Sequence, residues 1–218
     1  MTLIHLRISC FHLCTNDYLN LNKDPPHSPK YYETWSSVAK LQALGLEVMA
    51  MLDGGNPGSF PVHDNDETLR NVMGTLSRML RLYKFYGIDL NVKEPISQKG
   101  INRLIERPRK DFPPSFEICM TPANYVDFQE LEQKQSKNIS FYNGQFYNGF
   151  GCIEPTNCYD KIDMAGFRPK RVVAGVLANP ANAKHHNIGG IMVWEYFNAG
   201  QEGETHTCEL YEWQCIWA

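Results

Sequence analysis

Apolar runs of strand length alternate with amphipathic stretches of helical period along almost the whole chain, and this alternation constrains the fold most. "TLIHLRISCFHL" (2–13) reads as a strand and "LNKDPPHSP" as a turn-rich loop. "YYETWSSVAKLQALG" has helical period, and Gly45 stands where a C-terminal cap belongs. "LEVMAML" reads as a buried strand closed by "DGGNPGS". "DNDETLRNVMGTLSRMLRLYKFYG" reads as one amphipathic helix, with Asp and Glu in its first turn where the helix dipole favours them. Then come a strand "IDLNV", a helix "QKGINRLIERPRK" ended by its proline, a strand "SFEICMTP" and a short helix "YVDFQELEQ". The strands "NISFYNGQFYN", "RVVAGVLA" and "IGGIMVWEYF" follow, and "CELYEWQCIWA" reads as a closing helix.

Strand–helix alternation at this spacing predicts parallel β/α units. The segments above supply seven strands. A closed (β/α)8 barrel needs eight and about 250 residues. The shortfall equals one strand with its helix, and it falls at the N-terminus because the last unit is complete. The expected fold is therefore α/β, a (β/α)8 TIM-type barrel lacking its first β/α unit. No repeat or linker interrupts it, so residues 1–218 read as a single domain. An open doubly wound sheet for nucleotides would carry a glycine-rich phosphate loop after its first strand. There is none, and no cofactor is expected.

The 218 residues suffice for one sizeable core, at 43% hydrophobic and 21% charged. No run of about 18 apolar residues exists, and a net charge of −3 leaves no basic footprint, so neither a membrane nor nucleic acid is an expected partner. The opening "MTLIHLRISCFHL" carries His5, Arg7 and His12 inside its apolar run and reads as a strand rather than a secretory leader. Seven cysteines leave at least one outside any internal pairing. Cys10 and Cys14 on one strand, and Cys208 and Cys215 on one helix, would lie about 13 and 10 Å apart, too far to bridge. Cys152 and Cys158 flank the turn-forming "CIEPTNC" and can close a disulfide. No cysteine or histidine grouping has zinc spacing, so no metal is expected.

"YGIDLNVKE", "QFYNGFG", "GVLANPANA" and "GIMVWEYFNAG" follow one another in an order and spacing that resemble family 18 glycoside hydrolases, the fungal endo-β-N-acetylglucosaminidases and chitinases above all. "MLDGGNPGSF" looks like that group's third-strand loop and "LYEWQCIWA" like its final helix. The resemblance covers nearly the whole chain, starting at what would be the second strand. Its signature on the fourth strand is D-x-x-D-x-D-x-E. Alternate residues of a strand share a face, which turns the last three acids into the barrel mouth together. The glutamic acid protonates the leaving oxygen, the substrate's N-acetyl oxygen is the nucleophile, and the aspartate two residues earlier stabilises the oxazolinium.

Here the four positions are Tyr86, Asp89, Asn91 and Lys93, so only Asp89 matches. Asn91 can orient an amide but brings no negative charge, and Lys93 is a cation in place of the acid. Removing a general acid costs about 10²–10⁴ in rate, and removing the stabilising carboxylate adds to that. Glu94, one residue on, faces away from Lys93 and does not substitute. The resemblance implies that Asp89, Gln145, Tyr147 and Trp194 bind sugar: Gln145 and Tyr147 at the N-acetyl group and ring hydroxyls, Trp194 as the floor under the pyranose. Asp53, Gly54 and Gly55 are explained by a tight turn, and His185 and His186 by a solvated loop. Asn138-Ile139-Ser140 is an N-glycosylation sequon, placed ahead of its strand and away from the groove.

The expectation is a catalytically inactive, lectin-like protein that binds N-acetylglucosamine-containing glycans, chitin oligomers or N-glycans. Secretion or cell-wall association is what the resemblance favours. A storage or structural protein is the alternative, its groove plugged by Tyr86 and Lys93. An active endo-β-N-acetylglucosaminidase would require Asp at 91 and Glu at 93.

Overall fold

The computed structural model describes residues 5–13, 19–53, 60, 66–121, 128–146, 166–177 and 190–194. It divides into two compact units, His5–Ser140 and Phe141–Ala218 with Met1–Ile4.

The larger unit runs β1 (His5–Leu13), β2 (Leu19–Leu21), α1 (Tyr32–Ala43), β3 (Glu47–Asp53), α2 (Asp66–Leu82), β4 (Gly87–Asn91), α3 (Gln98–Asp111), β5 (Glu117–Thr121) and α4 (Phe128–Gln135). Within it the strand order is β2-β1-β3-β4-β5. Strands β1, β3, β4 and β5 are parallel, as strand–helix alternation requires. All five residues of β4 and all but the first of β3 are buried, the mark of parallel strands covered on both faces. Helix α2 covers its side with Val72, Met73, Leu76, Met79 and Leu80, a stripe at i, i+1, i+4, i+7 and i+8.

Three local expectations are corrected. The stretch read as a loop from Leu21 onward loses that first residue to β2, a strand that was not expected and that pairs antiparallel with the end of β1 through Leu19 to Leu21. Helix α2 ends at Leu82 rather than running on to Gly87, because Lys84 takes the left-handed conformation at φ 53°. The N–H groups of Lys84 and Phe85 then return to the carbonyls of Arg81 and Leu80. Helix α1 closes in the same way at the expected Gly45, φ 87°, with Gly45 and Leu46 donating to Gln42 and Leu41. Finally, Pro108 lies inside α3 and does not end it. The last turn is held instead by Asp111, which accepts from Arg107 at 2.8 Å and from Ser77 at 2.9 Å.

In the smaller unit, β6 (Phe141–Gln145), β7 (Val172–Leu177) and β8 (Gly190–Trp194) pair in parallel, in chain order. Tyr142 meets Phe167 edge-on at 5.1 Å and lies under the Arg171 guanidinium at 5.5 Å. The closing helix expected over 208–218 lies outside the described residues. Among those described, no helix is long and apolar enough to cross a membrane.

Candidate functional site

The C-terminal ends of β1, β3, β4 and β5 bring together the chemistry of the larger unit. Phe11 stacks toward Trp35 of α1 at 6.4 Å and pairs with Leu52, so the Leu52 side of β3 faces the helices. By alternation Met49, Met51 and Asp53 face the other way. Register sets Met51 beside Asp89, Asp53 beside Asn91, and Asn91 beside Thr121. Asp53, Asp89, Asn91 and Thr121 therefore share one face, with Lys93 just beyond the end of β4.

Asp53, explained from sequence by a turn alone, is the hub of this face. Its Oδ1 accepts from Asn91 Nδ2 at 3.2 Å and lies 3.6 Å from Lys93 Nζ. Asp53 and Asn91 are 5% and 2% exposed, whereas the Lys93 side chain remains 31% open. Asn91 Nδ2 also lies 3.7 Å from Met51 Sδ. With the amide nitrogen turned to Asp53, Asn91 Oδ1 is buried and meets no donor among the described residues. Asp89 is fully buried and accepts from Thr121 Oγ1 at 2.9 Å. His12, at the end of β1 and 6% exposed, sets Nδ1 3.0 Å from the Asp53 carbonyl. A carbonyl only accepts, so Nδ1 carries the proton there. His12 and Thr121 were not among the sequence candidates. Each stands one step past an apolar strand residue at a strand end, and that was the available signal.

Glu94 is 8% exposed and its Oε1 accepts the Phe60 N–H at 2.7 Å. Tyr86 does not plug the groove. It precedes β4, about 16 Å along the strand from Asn91 at strand rise. There it shares with Glu47, Phe112 and Phe116 a cleft of about 380 Å³ at the opposite, N-terminal end of the strands. Burial raises the Tyr86 phenol, and the Glu47 and Glu117 carboxylates raise it further. Burial also raises Glu47, against a hydrogen bond from Tyr86.

In the smaller unit Asn143 and Gln145 are buried on one face of β6, 0% and 7% exposed. Trp194 is the last residue of β8, beside Leu177. Tyr147, Cys152, Cys158, His185, His186, Gly54 and Gly55 lie outside the described residues. Asn138 sits ahead of β6, its amide donating to Gln135 Oε1 at 2.7 Å and its carbonyl accepting from Arg109 at 2.9 and 2.7 Å. Among the described residues no three His, Cys, Asp or Glu side chains group to hold a metal ion.

No family model matches the chain, and no curated protein matches it. Solved structures do. A fungal endo-β-N-acetylglucosaminidase from glycosyl hydrolase family 18 is 35% identical over 97% of this chain and 85% of its own, with a TM-score of 0.85. The chitinase ChiC from Aspergillus fumigatus is 33% identical over 95% of this chain and 87% of its own, with a TM-score of 0.82. A family 18 chitinase from Pseudoalteromonas aurantia, 16% identical with a TM-score of 0.74, shares the fold. The parallel β/α units are thus those of a (β/α)8-type barrel, as the strand–helix alternation led us to expect. With identities above 30% along almost its whole length, the chain belongs to glycoside hydrolase family 18.

Proposed function

We propose that this chain is a catalytically inactive member of the family that binds N-acetylglucosamine-containing glycans, chitin oligomers or N-glycans, as a lectin does. The observation that carries the reading is the fate of the last two signature positions. Asn91 and Lys93 both turn to Asp53, at 3.2 and 3.6 Å, so the place of the proton donor holds an ammonium group already engaged with a carboxylate. Such a group stabilises no oxazolinium and would oppose the positive charge of the transition state. Binding is what remains for the positions carried over from the family motif, Asp89, Gln145, Tyr147 and Trp194. The relatives described as an endo-β-N-acetylglucosaminidase and a chitinase support a carbohydrate partner. We read residues 1–218 as one such domain. A secreted or cell-wall setting would make the Cys152–Cys158 disulfide and a glycan on Asn138 meaningful.

The test has two arms. Hydrolysis of chitin oligosaccharides and N-glycoproteins should stay at background, and turnover abolished by replacing Lys93 or Asn91 would overturn inactivity. Calorimetric titration with chitotetraose should give a micromolar to millimolar dissociation constant, weakened about tenfold by Trp194→Ala. No heat at millimolar sugar would favour a storage or structural role.

A further inference from the structure

The inference rests on the glycan-binding reading and adds to it a contact that lies outside the family signature. His12 is held by the sheet on both sides. Its backbone pairs with Asn20 of β2, and Phe11 before it pairs with Leu52 of β3. Phe11 turns to Trp35 and the helices, so alternation turns His12 to the face that carries Asp53, Asp89 and Asn91. The ring is fixed as well, because Nδ1 donates to the Asp53 carbonyl at 3.0 Å.

A neutral imidazole whose Nδ1 carries the proton has a lone pair on Nε2 and can only accept there. Among the described residues Nε2 meets no donor. The buried polar atoms that lack a partner belong to Glu47, Asn91, Gln98 and Glu117. His12 Nε2 is not one of them, so it keeps contact with solvent although the residue is only 6% exposed. It is a fixed, accessible acceptor at the C-terminal end of β1.

Its chemistry selects what can meet it. Carboxylate, sulfate and carbonyl oxygens bring no hydrogen and are repelled by the lone pair. Lys93, beyond the end of β4, has the opposite demand: its ammonium offers donors only, and its side chain is 31% open. Hydroxyls both donate and accept, so one polyhydroxylated ring can serve the imidazole and the ammonium together.

We propose that His12 is a sugar-binding residue, with Nε2 accepting a hydrogen bond from a hydroxyl of the bound saccharide. Asp53 then has two tasks: its carboxylate holds Asn91 and Lys93, and its carbonyl sets the His12 tautomer.

Two measurements on the full chain test this. The first is a proton–nitrogen correlation spectrum of the seven histidine rings, with the His12 signals identified by their loss in His12→Asn or His12→Gln. The free ring should carry its proton on Nδ1, and saturating chitotetraose should move Nε2 and leave Nδ1 in place. The second is calorimetric titration. His12→Asn retains an N–H for the Asp53 carbonyl and should unfold near the wild-type temperature, yet bind chitotetraose about fivefold more weakly, the scale of one hydrogen bond. His12→Ala should lose both stability and affinity. A proton found on Nε2 in the free ring, a folded His12→Asn with wild-type affinity, or no histidine Nε2 moving at saturating sugar would each overturn the proposal while leaving glycan binding standing. Wild type that gives neither heat nor shifts with the sugar would remove the glycan-binding reading and this inference with it.

Discussion

Replacing Asp53 by alanine tests whether that carboxylate organises the site. Asn91 Nδ2, on a side chain 2% exposed, would lose its 3.2 Å acceptor and keep only a sulfur 3.7 Å away. A buried donor left unpaired costs about 1–3 kcal/mol. The Lys93 pair adds little, at most about 1 kcal/mol, because the lysine side chain is 31% open and screened by water. Asp53→Ala should therefore destabilise by about 2–3 kcal/mol. In a chain of 218 residues that lowers Tm by roughly 5–10 °C. Asp53→Asn keeps an acceptor and should cost under about 1 kcal/mol. Thermal unfolding followed by circular dichroism reads both, and Asn91→Ala closes a double-mutant cycle with an expected coupling of about 1–2 kcal/mol. Equal losses for Ala and Asn at position 53, or a coupling below about 0.5 kcal/mol, would refute the hydrogen-bonded hub.

Other perturbations probe the frame. Gly87→Ala would bring its Cβ to 2.5 Å from the Glu117 carbonyl oxygen and 2.7 Å from Met49 Cε. The methionine tip can swing but the backbone oxygen cannot, so we expect a loss of about 3 kcal/mol in urea unfolding; a loss under about 1 kcal/mol would contradict the β4–β5 register. Lys84 holds φ 53°, and Lys84→Gly should stabilise by roughly 0.5–1 kcal/mol, whereas a lower unfolding midpoint would show that the lysine side chain matters more than its backbone. Burial pushes the Asp111 carboxyl up, but hydrogen bonds from Arg107 and Ser77 and the charges of Arg107 and Arg81 outweigh it and hold it below the usual carboxylate range. A depressed acid stabilises above its unfolded pKa of about 4 and loses that contribution as pH falls through the folded value. Urea midpoints of wild type and Asp111→Asn should differ at pH 6 and draw together as the pH falls below about 4; a constant gap would refute the linkage.

The parallel units were legible because buried strands and amphipathic helices each have a period the chain displays openly. What escaped were features set by partners rather than by pattern. "LNL" is too short to show an alternation, and only the edge of β1 makes it a strand. Lys84 occupies a position that usually signals itself by glycine. Pro108 reads as a stop, yet α3 runs through it to Asp111, whose carboxylate accepts from Arg107 and Ser77, partners that the local pattern does not display. In the site, the fourth-strand positions were visible from their spacing, and Asp89, Asn91 and Lys93 do stand at or just beyond the C-terminal half of β4. Tyr86 belongs to the same motif in sequence but lies at the other end of the strand. Asp53 was hidden because its meaning depends on the β3–β4 register, which pairs it with Asn91 and cannot be read from either strand alone.

The Asp53, Asn91 and Lys93 cluster also orders the routes by which β4 could acquire the full acidic signature. Lys93→Glu as a first step would set two carboxylates where an ion pair stood, one of them 5% exposed. Asn91→Asp as a first step would place two acids face to face across a 3.2 Å contact. Either intermediate is disfavoured by like charges in a poorly hydrated place, before any catalytic gain can reward it. The sequence thus occupies a local basin whose exit is guarded by a residue on the neighbouring strand, outside the signature itself. A laboratory lineage selected for hydrolysis should change position 53 before, or together with, positions 91 and 93.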